Sequence, residues 1–174
     1  MDTMQTMMSR RSTRKYTGEA VPDEVVDTIL QAGLFAPTSQ NKQTREFYVV
    51  RNKETLEKLS KAKEAGAGML SACDVAIAVF EDGTESDTWI EDCSIALSYM
   101  SLMATDQGIG NCWCQMHLRS SAQGKDAEDN VRRIMDISND DLRIVGILAL
   151  GVPAEELQPH AAQDLNWSKV CKIE

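Results

Sequence analysis

A single domain mixing helices and strands, α+β or α/β, is the fold class this sequence predicts, on three observations. Four short apolar runs, 47–50, 75–80, 112–118 and 144–150, lack polar alternation, the pattern of strands covered on both faces. Helical periodicity fills most of the intervals between them. No repeat, linker or low-complexity stretch divides the 174 residues, and a chain of that length can bury about two thirds of its unfolded surface in one core.

Met4, Met7 and Met8 keep the i, i+3, i+4 spacing of an apolar helical stripe, which predicts an N-terminal helix breaking near Ser12. Val21-Pro22-Asp23-Glu24 opens a second helix, because a missing N–H costs little in the first turn and acids there suit the macrodipole. Val25, Val26, Ile29, Leu30 and Leu34 sustain its period until Pro37 stops it. After the polar stretch 38–45, Phe47-Tyr48-Val49-Val50 reads as a buried strand by its β-branched and aromatic content. Helix resumes over 53–63, Gly66 and Gly68 punctuate it, and 75–80 is a second, continuously apolar strand before the Asp82-Gly83 turn. From about 87 to 106, apolar and small residues nearly encircle a long helix, the mark of a central one. Gly108-Ile109-Gly110 ends it. A third strand over 112–118, a short amphipathic helix over 126–135 and a fourth strand over 144–150 complete the chain.

Eighteen basic against 27 acidic side chains give a formal charge of −9. That opposes non-specific attraction to nucleic acid or to an anionic membrane, so neither is an expected partner. The longest apolar run, 144–152, is too short to cross a bilayer, and the opening Met1-Asp2-Thr3-Met4-Gln5-Thr6 has no basic segment before an apolar core, so no secretory signal reads there. Five cysteines, Cys73, Cys93, Cys112, Cys114 and Cys171, form no CxxC, and only two histidines, His117 and His160, accompany them. This speaks for a reducing compartment, the cytoplasm, and against a disulfide framework or a structural zinc. Cys112 and Cys114 share one face of a strand, and buried apolar thiols explain them more economically than a redox pair.

Arg10-Arg11-Ser12-Thr13-Arg14-Lys15 places four of the 18 basic residues in six positions, where an even spread would give about 0.6. Guanidinium forks bond a phosphate bidentately and hydroxyls add neutral donors, so the cluster fits a phosphate ester. A basic helix end serving its own dipole has the same composition. Ala36-Pro37-Thr38-Ser39-Gln40-Asn41-Lys42-Gln43 offers hydroxyls and amides in alternation, the chemistry that reads the edge of a heterocycle, although Asn and Ser also serve plain turns. Gly108 and Gly110 lack the rest of a G-x-G-x-x-G fingerprint, and no GKS or GKT loop, HExxH or GxSxG elbow occurs, which leaves hydrolase readings without a nucleophile site. Trp113 is expected as a core or interface aromatic, Trp167 as an anchor for the C-terminal tail on its own or the partner subunit, and Asp92 as an exposed or capping carboxylate.

The order of these pieces is more specific than any one of them. A helix running into RRSTR, a helix ending in APTSQNKQ followed by EFYVV, a small-residue helix ending in GIGNCW, and a late strand IVGILALGVP resemble the nitroreductase family of flavoproteins. Its signatures are close to RRSxRxF, APSxxNxQPWxFxVV, GLGxxW and a terminal GxP. The similarity runs from Met7 to about Pro153, and NWSKV resembles the family's C-terminal segment. Two departures stand out: Thr44-Arg45 replaces the family's Pro-Trp, and Gln115-Met116-His117 stands where glycines are common.

The resemblance implies a single FMN-binding domain over 1–174, an α+β sandwich whose central, mostly antiparallel sheet is flanked by helices, one of them long and central. It also implies a homodimer with FMN at the interface. On the same resemblance Arg10 and Arg11 hold the FMN phosphate, Ser12 the ribityl region and Arg14 the pyrimidine edge. Pro37, Thr38, Ser39, Asn41 and Gln43 reach the flavin of the other subunit, the backbone of Trp113, Cys114 and Gln115 passes near the N5 nitrogen, and Lys169 is a candidate to complete the phosphate site. The implied reaction passes a hydride from NADH or NADPH through flavin N5 to a nitroaromatic, quinone or activated alkene in ping-pong order, and it needs no protein nucleophile. The alternative is a flavin-binding redox sensor or storage protein without efficient turnover.

Overall fold

The two most apolar strands form the middle of the sheet. In the computed structural model, which describes residues 2–173, β2 (Val75–Asp82) pairs with β4 (Leu142–Gly151), and β1 (Arg45–Val50) and β3 (Gly110–Gln115) close the edges in the order β1-β2-β4-β3. Every neighbouring pair is antiparallel, which settles the class as α+β. Among the described residues the α-helices are α1 (Thr3–Ser9), α2 (Asp23–Phe35), α3 (Lys53–Leu59), α4 (Met69–Ala72), α5 (Trp89–Asp106) and α6 (Ala127–Ile134).

Alternation along β2 divides the core into two layers. Val75, Ile77 and Val79, with Leu148 and Leu150 of β4, pack under α2 and α5. Ala76, Ala78 and Phe80, with Ile147 and Ala149 of β4, pack under α3, α4 and α6. Both faces are therefore dry, which is why these strands carry no polar alternation. Each large side chain so removed from water contributes about 1.5–3 kcal/mol. Among the described residues, no helix is long and apolar enough to cross a membrane.

Local chemistry sets the ends. The Asn52 side chain accepts from Thr55 N at the start of α3, and Asp126 accepts from Glu128 N and Asp129 N at the start of α6. Asp2 and Gln5 form a reciprocal capping box on α1. In β4 the register passes from Val79↔Gly146 to Phe80↔Ile144, so Val145 is an extra residue, a β-bulge. Its carbonyl accepts from both Met116 N and His117 N, at 2.9 and 3.1 Å, and this ends β3 at Gln115 rather than at the expected 118. Leu118 turns away with φ 56°.

Three other expectations change. The strand over 47–50 is real but forms a sheet edge, so it is half-covered rather than buried, and Val49 is exposed. The methionine stripe forms a helix, yet Met4 and Met7 face outward and Thr6 is its buried residue. α3 stops at Leu59, and the glycine-punctuated stretch contains the unforeseen α4.

Candidate functional site

The basic segment lies along the free edge of β3. Thr13 N donates to Asn111 O at 2.8 Å, and the Tyr16 hydroxyl donates to Thr13 O at 2.8 Å. Burial holds the Tyr16 phenol well above its ordinary range, so it stays a donor. Two glycines allow the close approach: a Cβ on Gly110 would meet Thr13 Cγ2 at 2.7 Å, and one on Gly151 would meet the Tyr16 ring at 2.7 Å. Asn111 is itself fixed by the last turns of α5, accepting from Ser101 Oγ at 2.6 Å and donating to Thr105 Oγ1 at 3.1 Å. The chain of cause thus runs from α5 through Asn111 to the arginines.

Those arginines are unneutralised. Arg11 donates to Gln158 O and Arg14 donates to Ser12 O, both backbone carbonyls. Among the described residues none of Arg10, Arg11 and Arg14 forms an ion pair with a carboxylate. In a chain of net charge −9 this is a local cluster of positive charge, in which, among the described residues, only Lys15 forms an ion pair, with Glu155.

Pairing decides which groups β3 leaves open. Met116 N bonds across the ladder to Val145 O, while Asn111 O turns the other way to Thr13. With the two-residue alternation of an antiparallel strand, the N–H groups of Trp113 and Gln115 then point to the open edge. The Trp113 Nε1 donates to Gln115 Oε1 at 2.9 Å, and Gln115 Nε2 to His117 O at 3.3 Å, so these side chains brace one another. Cys112 and Cys114 face the opposite layer and are buried. Burial pushes both thiols up, Cys114 to about 11, as fits apolar fillers rather than a redox pair.

The loop between α2 and β1 is unusual in its backbone. Gln40, Asn41 and Gln43 have φ of 53°, 54° and 54°, the left-handed region that side chains with a Cβ avoid. Such geometry persists only where the surroundings over-determine it. Gln43 N donates to Thr38 Oγ1 at 3.1 Å, Gln43 Nε2 to Asn41 Oδ1 at 2.8 Å, and Lys42 Nζ to Glu85 O at 2.6 Å. Ser39 N donates to both carboxylate oxygens of Asp92, at 3.1 and 3.3 Å. Asp92 is therefore not the exposed carboxylate of the first alternative: it is 3 % exposed and receives both the loop amide of Ser39 and the hydroxyl of Thr88 at the start of its own helix.

Thr44 and Arg45 join the same buried network. Thr44 Oγ1 donates to Glu81 Oε1; Arg45 donates to Ala36 O at 2.6 Å and to Asp92 O at 3.2 Å. Burial raises the Glu81 carboxyl above its ordinary value, and the nearby Asp92 charge adds to it against the Thr44 hydroxyl and the Arg45 cation. Sequence reasoning missed this cluster. The signal was present, because Asp92 falls on the same helical stripe as Trp89, Cys93, Ala96 and Met100, all buried.

A second missed cluster follows β3. His117 Nδ1 lies 2.7 Å from Glu128 Oε1, Arg143 grips the same carboxylate with Nε and Nη2 at 2.9 Å each, and Ile144 N reaches it at 3.2 Å. Trp89 packs edge-on against His117 and under the Arg143 guanidinium. Glu128 lies in the first turn of α6 and has no role assigned to it from the sequence.

The sequence-named residues thus fall into two groups within one chain. Arg10, Arg11, Ser12 and Arg14 hang from the last turns of α5 through Asn111, while Thr38, Ser39, Asn41 and Gln43 hang from its first turn through Asp92. The anchors Asp92 and Thr105 are about 20 Å apart along the helix axis. Lys169 joins neither group. Residues 162–173 are exposed throughout, and Trp167, 69 % exposed, does not anchor the tail on its own subunit. Before that point the segment is held by His160 N on Met8 O and by Arg11 on Gln158 O.

Comparison with known proteins meets this geometry. Residues 7–81 and 61–152 match the model of the Nitroreductase family. A Methanothermobacter thermautotrophicus protein named "Putative NADH dehydrogenase/NAD(P)H nitroreductase" is 34% identical over 158 residues, covering 89% of this chain and 79% of its own. An FMN-dependent nitroreductase from Clostridium difficile R20291 superposes with a TM-score of 0.95 at 34% identity, over 98% of this chain and 99% of that one. A Bacteroides fragilis nitroreductase solved with bound FMN shares the fold, with a TM-score of 0.77 at 22% identity over 100% of both chains.

Proposed function

The chain belongs to the nitroreductase family, and from that premise we propose that it is an FMN-dependent oxidoreductase, one FMN-binding domain over 1–174, acting as a cytoplasmic homodimer. When bound, FMN supplies hydride and electron transfer between NADH or NADPH and a small acceptor, a nitroaromatic, quinone or activated alkene, in ping-pong order. The observation that carries this reading is the set of three arginines without carboxylate partners, laid beside a strand edge with open N–H groups. Arg10 and Arg11 hold the phosphate by charge-assisted hydrogen bonds, and Ser12 meets the ribityl chain. Arg14 places a fixed cation where reduction puts negative charge on the pyrimidine edge, and the N–H groups of Trp113 and Gln115 orient the ring.

The loop carrying Pro37, Thr38, Ser39, Asn41 and Gln43 comes from the partner subunit in this reading. The separation of the two groups along α5 supports that assignment. So do the outward apolar side chains Leu34, Phe35, Leu165, Trp167 and Val170, more than a chain leaves in water without use. Lys169 rides on that exposed tail and completes the phosphate site across the interface.

The test is the visible spectrum of the purified protein, followed by anaerobic NADH and then NADPH. A flavin band bleached by either nucleotide is expected, with Arg10→Ala weakening FMN binding about tenfold. A colourless protein that refuses added FMN overturns the reading. A band that neither nucleotide bleaches replaces it with a redox sensor or storage protein.

A further inference from the structure

The loop 36–45 is clamped at its root, its middle and its end by buried and half-buried side chains. At the root, Arg45 Nη2 holds Ala36 O at 2.6 Å while Nη1 holds Asp92 O at 3.2 Å, so one guanidinium ties the end of α2 to the first turn of α5. In the middle, the Asp92 carboxylate receives Ser39 N, and it is steadied there by the hydroxyls of Thr88 at 3.2 Å and Ser86 at 3.4 Å. At the end, Thr44 is pinned on Glu81, whose other oxygen faces the Cys93 thiol. Arg45 Nε is buried and has no hydrogen-bond partner, so the guanidinium accepts incomplete solvation to keep its place.

We propose that Asp92 and Arg45 are positioning residues that hold the loop 37–43 in its left-handed shape before any ligand arrives. This rests on the reading that the loop faces FMN. Three consecutive constraints meet three unfavourable φ values, and without the clamp the loop relaxes into an ensemble that FMN must order on binding. Loss of the clamp then appears as weaker FMN binding although no contact to FMN has been removed. The Thr44-Arg45 pair gains its meaning here, since both side chains point into the clamp.

The experiment is amide hydrogen exchange on the FMN-free protein, wild type against Asp92→Ala, Asp92→Asn and Arg45→Lys, paired with FMN titration by fluorescence. Asp92→Ala is expected to speed exchange in 38–43 about tenfold or more while α5 beyond Ala96 and segment 10–16 stay unchanged. Its Kd for FMN rises about tenfold. Asp92→Asn keeps an acceptor for Ser39 N and restores most of both effects, and Arg45→Lys, which reaches one carbonyl instead of two, falls between. Arg10→Ala weakens FMN without touching loop exchange. If loop exchange in Asp92→Ala matches wild type, or if exchange rises equally throughout α5, positioning is overturned. Should Asp92→Ala not fold, Arg45→Lys decides: loop exchange there that matches wild type overturns positioning equally. Wild-type protein that takes no FMN defeats the flavin reading alone, while the exchange result still decides the clamp.

Discussion

Gly146 of β4 lies against the indole of Trp113: a Cβ there would fall 2.7 Å from Nε1 and 2.9 Å from Cys114 O. The second contact is backbone and cannot swing aside. Gly146→Ala is therefore expected to push β3 from β4 at a cost of about 1–3 kcal/mol in urea unfolding. FMN affinity falls with it, because β3 carries the open N–H groups. Gly68→Ala, with nothing within 4 Å of the new Cβ, serves as the control and changes stability by less than about 0.5 kcal/mol.

Acid should weaken the fold through Glu128. Burial alone would raise its carboxyl, but the Arg143 fork, His117 and Ile144 N outweigh it and hold the carboxyl below its ordinary 4.5. The unfolded chain then binds the proton more readily than the folded one. Stability from Glu128 is present above about 4.5 and is lost as pH falls through the depressed folded value. Glu128→Gln is expected to cost about 2 kcal/mol at neutral pH, less than a wholly buried pair because Arg143 can rehydrate. It also flattens the acid limb, and denaturation midpoints from pH 3 to 7 that parallel wild type would contradict the linkage.

Thiol chemistry separates the cysteines cleanly. Cys73, Cys93, Cys112 and Cys114 are buried, and burial raises each thiol, Cys73 to about 11, whereas Cys171 is exposed. A disulfide reagent at pH 7 is expected to label one thiol per native chain quickly and the rest only on unfolding. Cys171→Ser removes the fast phase; rapid labelling of Cys112 or Cys114 would reopen the redox-pair reading.

Arg14 is exposed, and among the described residues it forms no ion pair, so its replacement should be tolerated structurally. Arg14→Met is expected to leave thermal stability unchanged and to lower the potential of bound FMN by about 30 mV, with Arg14→Lys recovering most of it. An unshifted potential would remove Arg14 from the pyrimidine edge.

The sheet and its layers were legible because burial on both faces writes an unbroken apolar run, and β2 and β4 carry one. β1 was misjudged as buried because composition reports what a strand is made of, not whether a neighbour stands on both sides. The arginine cluster was visible as a local excess of charge. Asp92, Arg45 and Glu81 were not, since each is a single charged residue whose meaning lies in a partner remote in sequence, such as Ser39 for Asp92. The β3 terminus escaped for a similar reason: what stops it is Val145, thirty residues downstream in a bulge that no local pattern announces.

α5 touches both halves of the proposed site, one near each end, and it behaves as a ruler. Inserting one residue between Asp92 and Ser101 would advance everything beyond by about 1.5 Å and swing it through about 100°. Asn111 would lose its grip, and the arginines would be aimed elsewhere. The length of this helix is therefore quantised: chains of this design can lengthen it only by whole turns, three or four residues at a time.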